Sequence, residues 1–181
     1  MRGVLRLAVG RREGMDEFAD LDGEFLASLA PLIAFPLVGA VWLSTQGQAQ
    51  IGWLAFLARI CGVLAQPVII HLFARSFGAQ GHWLRTATAM NWAFWLILPL
   101  LMVAGIVAQI LNMIGIQDAT ALGISGLLLI AYVAWYQWGI IRTGLAIKAG
   151  QAVLVLLGID AVSVFFSALP YLIDPASRAT M

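Results

Sequence analysis

Residues Ile51 to Phe73 read IGWLAFLARICGVLAQPVIIHLF, and this stretch decides the fold class. About 20 residues of helix, at roughly 1.5 Å each, cross a hydrocarbon core about 30 Å thick. The run reaches that length with a single formal charge, Arg59, inside it. An arginine at mid-membrane depth costs about 3 kcal/mol or more, so its side chain belongs against protein, a water-filled cavity or an opposite charge. Steps of three and four residues from Gly52 collect Ala55, Arg59, Gly62 and Gln66 on one stripe of small and polar side chains. That stripe is the predicted inward face of the helix.

The rest of the chain agrees. Of its 181 residues, 62% are hydrophobic and 10% charged, against about a quarter charged in soluble domains. The predicted fold is all-α, a polytopic integral membrane bundle of five transmembrane helices. The apolar runs are Phe25 to Thr45, Ile51 to Phe73, Asn91 to Ile114, Ala119 to Ile141 and Gln151 to Ile173. A net charge of +1 supplies no basic surface for nucleic acid. The lone cysteine, Cys61, has no partner for a disulfide and is read as a small buried hydrophobe. Nine arginines against one lysine, with abundant alanine, suggest a GC-rich bacterial genome and hence an inner membrane.

Basic residues set the expected orientation, because loops rich in Lys and Arg stay in the cytoplasm. The tail before the first run contains Arg2, Arg6, Arg11 and Arg12; the second connection has Arg75 and Arg85, and the fourth Arg142 and Lys148. The alternate connections, near Gln46 to Gln50 and Gln117 to Asp118, have none. The N-terminus is therefore expected inside, with residues 174–181 forming a short tail outside. Trp92, Trp95, Trp135, Tyr136 and Trp138 fit a cytoplasmic aromatic belt, and Trp42, Trp53 and Tyr171 an outer one. Prolines 31, 36, 67, 99 and 170 fall within the runs and tend to kink helices. The pairs Ala58/Gly62, Ala119/Gly123 and Ser163/Ser167, each four apart, are expected to let helices approach closely.

Residues 1–24 form a cytoplasmic tail in which four arginines give way to Glu13, Asp16, Glu17, Asp20, Asp22 and Glu24. If helical, it has an acidic face and an apolar one carrying Phe18, Leu21 and Phe25, which suits a helix lying on the membrane. The alternative is a solvated tail. Met15 is a second candidate start.

The fifth run carries the other intramembrane charge, Asp160, with Ser163 and Ser167 on the same face. Entered from opposite sides, Arg59 and Asp160 come within about 5 Å in depth. The expectation is a buried ion pair between the second and fifth helices, with Gln66 and Ser163 completing its hydrogen bonds. A proton or ion pathway, and an Arg59 that reaches the interface, are the alternatives. His71 and His82 have no metal-ligand spacing, and HExxH, GxSxG and a phosphate loop are all missing from the sequence. No cofactor, metal or catalysis is expected.

The topology, together with FARSFGAQGHW at Phe73 to Trp83, YVAWYQWGIIRTGL at Tyr132 to Leu145, and Asp20, Leu21 and Gly23 in DLDGEF, resembles the Yip1-like family of five-span proteins. The resemblance implies a cytoplasmic tail and a non-enzymatic role. Eukaryotic members contact small GTPases in vesicle traffic, a partner not carried over to a bacterial chain. The expected role is a membrane scaffold or accessory subunit, with membrane lipids and another membrane protein or complex, or a second copy, as partners. Arg75, Arg85, Arg142 and Lys148 form the candidate cytoplasmic contact surface. The competing role is a small transporter or channel with a polar path through Arg59, Gln66, Pro67, Asp160 and Ser163. A water-filled cavity reaching those residues distinguishes the two.

Overall fold

The computed structural model describes residues 2–173, side chains of 171 and 173 excepted; the predicted outer tail and the Tyr171 side chain lie outside the described residues. Within them the chain is helical, without strands. A short helix α1 (Arg2–Ala8) is followed by α2 (Asp22–Thr45), α3 (Ala49–Ser76), α4 (Trp83–Ala93), α5 (Ile97–Met113), α6 (Asp118–Gly144) and α7 (Ala149–Ile173). Five segments are long and apolar enough to cross a membrane, with α4 and α5 together making the third. The expected five-helix bundle is present.

The spans end where the sequence can close a helix. At Gly47, Gly78 and Gly115 the backbone takes positive φ. There the Gln48, Ala79 and Ile116 amides donate five residues back, to Leu43, Ala74 and Leu111. Each closure satisfies terminal carbonyls that would otherwise be stranded.

The third span differs from its expected form. It begins at Trp83, not Asn91, and is interrupted by a 3₁₀ turn at Phe94–Leu96. Pro99 has no amide to give the Trp95 carbonyl four residues back, and its ring crowds that carbonyl, so the ladder tightens at this point. Pro31, Pro36, Pro67 and Pro170 lie inside uninterrupted helices.

Packing is uneven along the bundle. α3 packs against α7 and α2, α4 against α2, α3 and α6, and α6 against α7, whereas α5 has α6 as its one substantial helical neighbour. The main cluster of buried apolar side chains gathers at the end holding α1 and the α3–α4 and α6–α7 connections. It includes Ile70, Met90, Tyr136, Ile140, Ile141 and Val155. Toward the other end the helices leave a cavity between them.

The tail is not a solvated chain, and it is not one amphipathic helix: it is a folded segment packed on the bundle. α1 and a 3₁₀ turn at Arg12–Glu17 fold back on each other and are joined by an Arg6–Glu17 ion pair at 2.7 Å. Val4, Leu7 and Met15 are buried in the main cluster. The Tyr132 and Tyr136 hydroxyls donate to the carbonyls of Ala8 (2.7 Å) and Val4 (3.1 Å). Tyr136 is thus a core residue, not a belt anchor. Beyond the hairpin, Asp20 accepts a hydrogen bond from the Arg85 amide at 2.9 Å. It caps the first turn of α4 from a distant part of the chain.

Close approaches occur mostly at glycines outside the expected pairs. An added Cβ at Gly52 would lie 3.0 Å from the Ala40 carbonyl oxygen on α2, and one at Gly158 3.0 Å from the Phe73 ring on α3. Gly62, which does face α7, is looser, 3.8 Å from Phe166. Gly123 meets nothing within 4 Å, so the Ala119/Gly123 pair forms no helix contact there.

Candidate functional site: a polar cavity within the spans

A cavity of about 790 Å³ lies among α2, α3, the α4–α5 break, α6 and α7. The whole predicted stripe of α3, Gly52, Ala55, Arg59, Gly62 and Gln66, lines it. From the facing side α7 contributes Asp160, Ser163 and Ser167. All four residues of the predicted polar core, Arg59, Asp160, Gln66 and Ser163, therefore share one space.

Their arrangement departs from the expected ion pair. Among the described residues the salt bridge within 4 Å is Arg6–Glu17, so Arg59 and Asp160 are not in direct contact. The physical reason is the cavity itself, onto which both side chains open. The tight α3–α7 approaches at Gly158 with Phe73 and Ile69 lie deeper in the bundle, toward its packed end.

Further polar groups line the wall. Gln137 comes from α6, and Asn91 from the last turn of α4. Gln66 Nε2 and Asn91 Oδ1 are buried without a protein partner. Unsatisfied polar atoms of this kind are costly unless water or a ligand reaches them. The other side of the Asn91 amide is engaged, donating to Ser28 Oγ at 2.8 Å, while Ser28 donates to the Phe25 carbonyl at 2.6 Å. Ser28→Ala is expected to cost about 1 kcal/mol by stranding the Asn91 amide. Thermal unfolding in detergent measures this, and Asn91→Leu in the same background should recover much of the loss.

Phe35, Phe56, Phe94 and Phe166 supply apolar wall on several sides. Trp95 packs edge-on against Phe35, ring centroids 5.3 Å apart, beside the break in the third span. The cavity therefore offers one positive and one negative side chain, several amides and hydroxyls, and aromatic surface.

The candidate cytoplasmic contact residues divide. Arg75 and Lys148 are exposed. Arg85 is not a free surface charge, because its Nε and Nη2 donate to the Gly144 carbonyl at 3.3 and 3.1 Å and lock α4 to the end of α6. Arg142 lies over the Trp138 ring, 5.2 Å from its centroid. Cys61 is exposed on α3, contrary to its expected burial, since the inward stripe is occupied by its neighbours Ala58 and Gly62.

Sequence reasoning missed Asn91, Gln137 and the Ser28 contact. Asn91 was assigned to a span boundary because the span was begun eight residues late. A polar residue three positions before a tryptophan-rich break, in TAMNWAFW, was the available signal. The chain matches no protein-family profile, no curated protein and no solved structure.

Proposed function

We propose that the protein is a small transporter or channel in which a solute carrying both an anionic and a cationic group enters the cavity and meets Arg59 and Asp160. The observation that carries this reading is that the two charges within the spans line the same 790 Å³ space without touching each other. Opposite charges left apart in a membrane are expensive, and such residues mark substrate and ion paths. The volume falls in the range of small-molecule sites, about 300–1,000 Å³. Gln66, Asn91, Gln137 and Ser163 offer hydrogen bonds that fix orientation, and the phenylalanines cover the solute's carbon skeleton.

The membrane is proposed to be a bacterial inner membrane, with the N-terminal hairpin on the cytoplasmic side. Support comes from Arg75, Arg85, Arg142, Lys148 and the tail arginines, which belong to one end of the bundle. In that orientation the cavity wall reaches Leu43, Ile51 and Gly52, beside the α2–α3 connection on the outer side. The role is non-enzymatic.

A second reading, the Yip1-like scaffold or accessory subunit, is favoured by α5. Leu98, Leu101, Met102, Ile106 and Ile110 are exposed on this helix, which has a single substantial helical neighbour. Another membrane protein would seat there.

The test is uptake of small zwitterions and ions into vesicles containing the purified full chain. Flux by the wild-type protein that falls at least tenfold in Asp160→Asn, with unchanged thermal unfolding, is the expected result. Asp160 makes no ion pair in the structure, so the amide should leave folding intact. No flux for any solute, together with a stoichiometric partner on mild purification, would transfer the assignment to the accessory role.

A further inference from the structure

We propose that a second, smaller pocket, between the N-terminal hairpin and the end of α6, binds the phosphate of an anionic phospholipid. It holds about 190 Å³ and is lined by Arg11, Arg12 and Arg142 together with Trp135 and Trp138. No carboxylate lines it, and none of these arginines has an acidic partner within 4 Å among the described residues. Three like charges brought to one small space repel one another, a cost that an anion removes. Guanidinium forks match phosphate oxygens in pairs.

The fold builds this convergence from distant parts of the chain. Gly10, at φ 76°, turns the backbone back after α1, and an added Cβ there would lie 3.4 Å from the Trp135 ring. The turn therefore rests on that indole and delivers Arg11 and Arg12 beside α6. Arg142 is held over Trp138, whose Nε1 donates to the Ala149 carbonyl at 3.1 Å.

Three features select a lipid over free phosphate. Tryptophans near the end of a spanning helix sit at headgroup depth. Leu5 and Val9, on and just after α1, are exposed apolar side chains of the same hairpin arm that lends Leu7 and Gly10 to the pocket, available to acyl chains. The volume is below that of a whole small-molecule site, about 300 Å³, and suits a headgroup whose tails remain in the bilayer.

The test is native mass spectrometry of the delipidated full chain with phosphatidylglycerol or phosphatidylcholine of identical acyl chains. A preference of at least tenfold for phosphatidylglycerol is expected, since each basic residue near a membrane surface contributes about fivefold. Combined Arg11→Gln, Arg12→Gln and Arg142→Gln should abolish the preference, and combined Arg75→Gln and Lys148→Gln, at exposed basic residues of the same end, should retain it. Equal loss in both sets would mean diffuse charge attraction and overturn the site, as would an unchanged preference in the triple variant. Should the triple variant unfold, Arg12→Gln alone, at an exposed residue, should lower the preference about fivefold, and no change in it would equally overturn the site. Complete displacement of the lipid by millimolar inorganic phosphate would overturn the lipid assignment.

Discussion

Gly14→Val undocks the N-terminal hairpin and lowers stability by about 3 kcal/mol or more. An added Cβ at Gly14 would sit 2.6 Å from the Gly3 carbonyl oxygen, 2.9 Å from Arg6 Cβ and 3.0 Å from the Leu7 side chain. The approach is mutual, because a Cβ at Gly3 would lie 2.7 Å from the Gly14 carbonyl oxygen. Backbone cannot step aside as a flexible side chain does. The two arms must part, and parting withdraws Val4, Leu7 and Met15 from the cluster they share with Tyr136. Returned fully to water, each such side chain loses about 1.5–3 kcal/mol. The Tyr132 and Tyr136 hydroxyls then lose their carbonyl acceptors, at about 1 kcal/mol each. Thermal unfolding in mild detergent reads the effect. A chain started at Met15 should show a loss at least as large, and melting of both variants together with wild type would refute the docked hairpin.

The second large effect is at Gly144, where helix propensity and packing predict opposite signs. Propensity favours alanine over glycine by about 1 kcal/mol inside a helix. Packing opposes it, because a Cβ there would collide with the Thr86 hydroxyl and lie 3.0 Å from Thr86 Cβ and Cγ2. Thr86 is fully buried, and its hydroxyl donates to the His82 carbonyl at 2.7 Å, so it has little freedom to turn away. Displacing the end of α6 also loosens the two Arg85 hydrogen bonds to the Gly144 carbonyl. Gly144→Val is expected to destabilise by about 3 kcal/mol, and Gly144→Ala by about 1–2 kcal/mol. Gly139→Ala, on the same helix with nothing within 4 Å, should be neutral or stabilising. Adding Thr86→Ala to Gly144→Ala should recover much of the loss. A stabilising Gly144→Ala would mean that α4 and α6 are not in contact at this point.

Much of the architecture was legible because a bilayer imposes length and composition on each span. The α3 stripe was legible for a related reason: an arginine inside a span has few places to face, and the small residues in register with it open the same side. Asp160, Ser163 and Ser167 followed from helical spacing alone. Depth along the membrane brought Arg59 and Asp160 level, but the distance across the bundle is a property of how helices diverge, which no single span encodes. The ion pair was lost there. The tail was misread because α1 is seven residues long, too short for periodicity to show, and what buries it lies more than a hundred residues away on α6. Arg85 was misread similarly: its carbonyl partner at Gly144 leaves no trace in the composition around either residue.

The break at Phe94–Leu96 has a mechanical consequence. α4 is fixed by neighbours on three helices, while α5 hangs from it by one turn of 3₁₀ helix and leans chiefly on α6. Segments with few packed neighbours are those that move at least cost. The turn is thus where the third span would bend at least cost. Phe94, Leu96, Ile97 and Leu100, at the turn and the start of α5, form part of the cavity wall. A bend there would reshape that space without disturbing the packed cluster, none of whose buried residues lies on α5.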